Sequence, residues 1–274
     1  MTVETLSAIS VHFTPEELFV ILDQLGGPAL LGLSRETFEQ LPEAHQTVAL
    51  DVARRGLIAR QLLALAEQGQ VKIQAMVAGV IVPCVSPEQS VIIVDSQGVR
   101  PARTFYFHQA EAVHVLYQIT ADNLYRFNLL RNGDTFKLAI SNALGLTDLH
   151  GSDGPAERLT RASFEQAQTA AEQDGPELAQ AGLTEAGLNP TLAAHLASTL
   201  AGQAEFKTLT VIDHEAQRSQ TLTLLPGRAG SWMLEEEAGQ IRIQPVTSAT
   251  IYDRVQALLS RYSQTVVPAG QISR

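Results

Sequence analysis

Cysteine is almost absent: Cys84 is the single one in 274 residues. That excludes an internal disulfide framework and any Cys-rich zinc or iron–sulfur site. Positive charge is also scarce. Lys and Arg number 19 against 29 Asp and Glu, a net charge of −10, so electrostatic attachment to nucleic acid or anionic lipid is not expected. Aromatic residues make up 5 %, and Thr104-Phe105-Tyr106-Phe107 is their one cluster. Long apolar runs are missing too. The stretch from Met76 to Val85 contains Gly79 and Pro83 and falls short of the ~18 residues of a membrane helix. The opening MTVETLSAIS carries Glu4 where a signal peptide would have Lys or Arg, and no apolar core follows. The expectation is a cytoplasmic protein with no membrane partner. What the chain has in quantity is aliphatic side chains. Hydrophobic residues are 45 % and charged ones 18 %, which excludes disorder as the main state. At roughly 150 residues per domain, the length fits one large domain or two small ones.

The first helix has a well-marked start. In Phe13-Thr14-Pro15-Glu16-Glu17-Leu18, Thr14 and Glu17 form a capping box and Pro15 occupies the first helical position. Phe13 and Leu18 are spaced as a hydrophobic staple. The pattern predicts a helix to Gly26-Gly27. A second helical stretch begins after Ser34, breaks at Pro42 and ends at Arg54-Arg55-Gly56, where two cations suit the negative end of the dipole. From Gly56 the order of predicted elements occurs twice. Gly56-Leu57 leads into a helix, LIARQLLALAEQ, a strand, VKIQAMVAGVIVPCV, and a further strand, SVIIV. A turn at Asp95-Ser96-Gln97-Gly98 precedes the strand RPARTFYF and a helix, QAEAVHVLYQI. Gly187-Leu188 leads into a helix, PTLAAHLASTLAGQ, the strands FKTLTVI, QTLTLLP and SWMLEE, a turn at Ala238-Gly239, the strand QIRIQPV and a helix, SATIYDRVQALLSRY. A period of more than about 130 residues is too long for a solenoid and indicates a duplicated half-domain. Short turns between strands imply antiparallel pairing, so the expected fold is α+β: an antiparallel sheet flanked by helical bundles, with quasi-twofold symmetry. The halves are 1–150 and 151–274, forming one compact domain and joined at the linker His150–Pro155. Between them, Tyr125–Leu129 alternates as a strand does. Asn132-Gly133 is a hairpin signal, and TFKLAISNAL reads equally as strand or helix. Residues 157–181 read as helix broken at Asp174-Gly175-Pro176, and the tail after Ser263 reads as frayed.

Motifs of known chemistry are missing. There is no phosphate loop, dinucleotide fingerprint or Gly-x-Ser-x-Gly elbow. Gly227-Arg228-Ala229-Gly230-Ser231 precedes a strand and reads as a plain hairpin loop. His108, Glu111 and His114, three apart on or near the predicted helix 109–119, would drift across its surface instead of converging on a metal. Asp213-His214-Glu215 reads as a solvated turn, Glu235-Glu236-Glu237 as a charged hairpin turn, and His195 as a packing residue. Cys84 lacks the nearby cation that would activate a thiol. Phe105 and Phe107 share a strand face, leaving Tyr106 on the other as a candidate partner contact. No catalytic residue, metal ligand or cofactor is assigned.

Four segments resemble the EspG family, the cytosolic chaperones of type VII (ESX) secretion systems. They are HFTPEELFVILDQLGG before a helical pair ending in ARRGL, then VKIQAMVAGVIVPCV with VIIVDSQGVRPARTFYF, then AQAGL, and SWMLEEEAGQIRIQPVTSATIYDRVQALLSRY. The match lies in order, length and hydrophobic pattern across most of residues 1–262. The resemblance implies a duplicated α+β unit without catalytic residues. It also implies a protein partner, an aggregation-prone, helical and partly apolar secretion substrate of the PPE type. Such a substrate is held by an exposed strand–strand loop and a C-terminal helical bundle. The corresponding loop is Pro83–Gln89, which makes Val85, Ser86, Pro87, Glu88 and Gln89 the expected partner-binding residues. The C-terminal helix with Tyr252, Val255, Leu258 and Leu259 is the second candidate. A small-molecule hydrolase or transferase, with a site too scattered to see in the sequence, stays open as the alternative. The oligomeric state is not indicated.

Overall fold

The computed structural model describes residues 7–65, 71–97, 100–149, 151, 153–202, 205–227, 230–237 and 239–260. Several expected features fall wholly or partly outside them: Gly98, His150 and Ser152 of the linker, Arg228-Ala229, Ala238, the end of LIARQLLALAEQ, and the tail. The chain is α+β and divides into two units, Met1–Ser90 with Thr104–Ala139, and Val91–Arg103 with Ile140–Arg274.

The first unit opens with strand β1 (Ser7–Phe13), followed by helices α1 (Pro15–Gln24), α2 (Glu36–Glu39) and α3 (Glu43–Ala59). The α1 start is as expected. The Glu17 amide donates to Thr14 Oγ1 at 3.2 Å and the Thr14 amide to a Glu17 carboxylate oxygen at 3.1 Å. Arg60 clamps the same carboxylate at 2.9 Å and reaches the His12 carbonyl at 2.6 Å, fastening β1 to the end of α3. Helix α3 runs past Arg54-Arg55-Gly56, because Leu57 lies fully buried on its inner face and holds another turn in place. The next expectations need correction. Residues 63–65, expected in the helix from Leu57, instead form a strand that pairs with the expected strand at 71–73 in a small antiparallel ribbon, β2 (Leu63–Leu65) with β3 (Val71–Ile73). Residues 75–85, expected as strand, are helix α4 (Ala75–Val85), with Pro83 in its last turn. Strands β4 (Gln89–Gln97) and β5 (Arg100–Ala110) cross the division between the units. The expected helix 109–119 is instead a turn at Glu111-Ala112 and strand β6 (Val113–Ile119), with Glu111 at φ +52°. Its β-branched and aromatic residues, Val113, Val115 and Tyr117, outweigh the helical preference of Ala110-Glu111-Ala112. With β7 (Tyr125–Leu130), the strand order is β1-β7-β6-β5, and the pairs β1–β7, β7–β6 and β6–β5 are all antiparallel.

The sheet face carrying Phe13, Tyr117 and Phe127 packs under α1, α3 and α4, burying Leu18, Ile21, Leu57, Val77, Val80 and Ile81. Each such side chain contributes about 1.5–3 kcal/mol. Tyr117 sits at the centre. Its ring stacks on Phe127 at 4.8 Å and on Tyr106 at 4.7 Å, and its hydroxyl donates to the Leu31 carbonyl. Tyr125 likewise donates to the Gly32 carbonyl at 2.9 Å. Gly32 has φ +73°, and a Cβ there would overlap the Tyr106 hydroxyl, so only glycine fits.

Helix α5 (Gly133–Leu144) follows and also crosses the division. Asn132-Gly133 is its start and not a hairpin: the Asn132 side chain accepts from the Thr135 amide at 2.9 Å, satisfying a free donor of the first turn. The second unit continues with β8 (Glu157–Thr160), α6 (Arg161–Gln173), α7 (Pro176–Glu185) and α8 (Pro190–Ala201). Then come β9 (Glu205–Asp213), β10 (Arg218–Leu225), β11 (Ser231–Glu237), β12 (Gln240–Val246) and α9 (Ser248–Ser260). Helix 157–181 thus begins four residues late, because 157–160 extends the sheet. The strand order is β4-β9-β10-β11-β12-β8, antiparallel from β9 onward. Phe164, Leu183, Leu196, Leu200, Trp232 and Leu234 form its core. Strand β1 pairs with β7, and in the second unit β8 pairs with β12.

Candidate partner-binding surface

Helix α4 holds no charged residue from Ala75 to Val85, and its neighbours Gln74 and Ser86 are also neutral. A helix apolar on every side belongs in a core. This one is only partly there. Val77, Val80, Ile81, Pro83 and Cys84 are buried, whereas Met76 is 37 % and Val82 43 % exposed. Gly79 lies between them on the outer face, and a Cβ added to it would meet nothing within 4 Å. Glycine inside a helix costs roughly 0.5–1 kcal/mol relative to alanine, and no neighbour among the described residues requires it here. Pro83 also has no N–H to give the Gly79 carbonyl four residues earlier, which leaves that acceptor without its helical donor.

The expected binding residues continue from this face. They form a helix-to-strand junction and not a strand–strand loop, since α4 precedes them and β4 follows. Val85 packs half-buried against the core, Ser86 caps the helix end and Glu88 is exposed, with its amide donating to the Gln109 carbonyl at 2.9 Å. Gln89 is buried at the start of β4. The surface offered by 85–89 is therefore Ser86, Glu88 and part of Pro87. Met76, Gly79 and Val82 are additions that the sequence did not reveal as surface. On α9, Val255, Leu258 and Leu259 are core residues, and Tyr252 at 44 % is the exposed one.

The other singled-out residues fall into place individually. His108 and His114 stand at adjacent, non-paired positions of the β5–β6 hairpin and so point to opposite faces. Among the described residues, no three His, Cys, Asp or Glu side chains come together as a metal group would require. Ser90 Oγ lies 2.8 Å from His108 Nδ1, a spacing a serine nucleophile would use, but both residues are fully buried. His108 is further sandwiched against Tyr117 at 5.5 Å. Asp213 accepts from the Ala216 amide at 2.9 Å and closes the turn that carries exposed His214 and Glu215. His195 is exposed rather than packed: it lies on the outer side of α8, while Leu196 and Ala197 face inward. Cys84 donates to the Val80 carbonyl at 3.1 Å, and burial pushes its thiol pKa up, the opposite of activation. Tyr106 is half-buried against Tyr117 and therefore contributes to the core more than to any outer surface.

His114 is 8 % exposed and lies 5.0 Å from the Phe136 ring, and desolvation lowers its pKa. The folded state thus binds this proton less readily than the unfolded state does. Its contribution is complete above the unfolded value of about 6.5 and is lost as the pH falls from there through the folded pKa. The urea midpoint is expected to drop between pH 7.5 and pH 5, and His114→Gln should show a smaller drop over the same range. Parallel curves for the two proteins would remove His114 as the cause.

No protein-family model matches the chain, and no curated protein does. The fold, however, is similar to that of a solved protein. The chain is similar to the Mycobacterium tuberculosis type VII secretion system chaperone EspG5, solved in complex with a PE25–PPE41 dimer. The match covers 96 % of this chain and 98 % of that one, with a TM-score of 0.63 and 14 % sequence identity. Among the described residues, no helix is long and apolar enough to cross a membrane.

Proposed function

We propose that this chain is a non-enzymatic, cytoplasmic chaperone or adaptor of the EspG type. In this reading it holds a helical, partly apolar secretion substrate across the outer face of α4 and the Val85–Gln89 junction. The observation that carries the proposal is the uncharged face Met76–Gly79–Val82 left in solvent, because exposed apolar surface is retained where a partner covers it. An apolar helix laid over Gly79 would approach the backbone closely, as small residues at helix crossings permit. The fold likeness to a chaperone solved with its protein cargo supports the same reading. We also take 1–150 and 151–274 as two copies of one ancestral half. The support is a shared order of a strand, three helices, antiparallel strands closed by the first strand, and a helix, to which the first half adds the β2–β3 ribbon and α4.

Two measurements test the proposal. Gly79→Ala is expected to stabilise the isolated protein by about 0.5–1 kcal/mol in urea unfolding while weakening partner capture. Co-purification from the native cytoplasm, followed by mass spectrometry, identifies the partner. Val82→Glu, and Ser86→Arg combined with Glu88→Lys, should then release it without lowering the melting temperature, since these side chains lie outside the core. A partner retained at full strength by all three variants would remove α4 and the junction as the binding surface.

A further inference from the structure

A cleft of about 860 Å³ lies between strands β10–β12 and helix α9 in the second unit. Glu235 was expected in a charged turn, but the β10–β11 and β11–β12 registers carry it inside the sheet, where its side chain is only 8 % exposed. Both carboxylate oxygens are taken by guanidiniums. Arg242 Nη1 donates at 2.8 Å, and Arg254 donates through Nε at 2.7 Å and Nη2 at 2.5 Å. Arg242 is held a second time, donating from Nη2 to Gln244 Oε1 at 3.0 Å. Two cations therefore share one buried anion, and Glu236 and Glu237 also line the cleft.

The arginine side chains are 30 % and 29 % exposed. Arg254 Nη1 and Arg242 Nε take no part in these bonds. The lining carboxylates Glu236 and Glu237 have donors of their own, and Glu235, Glu236 and Glu237 together with their partners Arg242, Arg254, Arg158 and Arg161 leave one positive charge in excess. Glu237 pairs with Arg158 at 3.1 Å, Glu236 pairs with Arg161, and Asp153 accepts from the hydroxyls of Thr247 and Thr250. The chain's net charge of −10 does not govern this cleft, because interactions beyond a Debye length of about 8 Å are largely screened.

We infer that the cleft is a carboxylate-binding site that receives an Asp or Glu side chain from an acidic segment of a protein partner. The inference rests on the reading of this chain as a protein-binding module. A carboxylate entering the cleft would meet two guanidiniums already locked in place by Glu235 and Gln244, so little side-chain entropy is lost on binding. The volume lies within the range of ligand sites. Ser219, Gln220 and Thr221 continue along β10 as polar, exposed neighbours, which suits a peptide chain more than a compact apolar ligand.

The test is an NMR titration of the ¹⁵N-labelled full chain at 150 mM salt, following the Nε–Hε signals of Arg242 and Arg254. The probes are blocked tetraglutamate, blocked tetralysine, glutarate and inorganic phosphate. Tetraglutamate should shift both signals saturably and bind more tightly than glutarate or phosphate, while tetralysine leaves them unmoved. Glu235→Gln removes the internal competitor and should tighten tetraglutamate binding on the order of tenfold, the scale of one charge-assisted contact. Adding Arg254→Gln to that variant should cancel the gain, and it leaves Arg242, partly exposed and still bonded to Gln244, as the remaining cation of the triad. Absent shifts, equal shifts from tetralysine, or an affinity indifferent to Glu235→Gln would overturn the inference. Tighter binding of glutarate or phosphate would overturn the peptide assignment in favour of a small-anion site. These results are independent of the α4 variants, so failure here and failure of the chaperone reading are separable.

Discussion

Phe127→Ala should lower the unfolding free energy by about 3–5 kcal/mol, the range for deleting a fully buried phenylalanine ring. Phe127 is 0 % exposed, stacks on Tyr117 at 4.8 Å and meets the Phe13 ring edge-on at 5.7 Å. Its removal would open a cavity between β1, β6 and α1 that neither stiff strand can collapse to fill. Phe127→Leu keeps most of the volume and should cost less than half as much. Urea unfolding followed by tyrosine near-ultraviolet circular dichroism reads both, since Tyr106, Tyr117 and Tyr125 surround the site. Equal midpoints for wild type and the alanine variant would contradict the packing described.

Trp232→Ala is the matching experiment in the second unit, again with an expected cost of about 3–5 kcal/mol. The indole is 3 % exposed within the core formed by α6, α7 and α8, and its Nε1–H donates to Thr199 Oγ1 at 3.2 Å. Trp232→Phe separates the two contributions. It keeps most of the apolar contact and loses the hydrogen bond, for which about 1 kcal/mol is expected beyond the smaller packing loss. Thr199 retains its other bond, to the His195 carbonyl at 3.0 Å, so the hydroxyl is not left stranded. Far-ultraviolet circular dichroism against urea checks the order wild type, Phe, Ala.

The second unit was the more legible half. Asn189-Pro190 marks the start of α8, with the Asn189 side chain accepting from the Thr191 amide at 3.0 Å. In β9–β12, alternation and short turns gave strands at the observed places. The first unit misled where periodicity failed. AMVAGVIVPCV is apolar on every side, so neither a period of two nor one of 3.6 stands out, and its valines and isoleucine favour a strand. The helix forms because Val77, Val80, Ile81 and Cys84 share a face that the core of α1 and β6 covers. The same uniformity hid the proposed binding surface, since nothing local distinguishes exposed Val82 from buried Val80. Glu235 was illegible for a different reason. Three consecutive glutamates look like a turn, and only pairing with Arg242 and Arg254 from later elements shows that the first of them points inward. His114 was misplaced with its strand, whereas the capping box at Thr14 was readable because all its partners lie within four residues.

The pairing of β1 with β7 also has a consequence during synthesis. Phe13 pairs with Tyr125, so the sheet's first strand leaves the ribosome about a hundred residues before its hydrogen-bonding partner. At roughly 5–20 residues per second, that interval lasts about 5–20 s. Throughout it SAISVHF, which has no Lys, Glu or Pro of the kind that usually guards an unpaired strand, is available to other nascent chains. Arg60, which donates to the His12 carbonyl, belongs to the segment made before Tyr125, so this contact is open to the strand while its partner is still missing. A protein read here as a guardian of exposed apolar surface thus meets the same hazard in its own translation, and Arg60 is placed to shorten it.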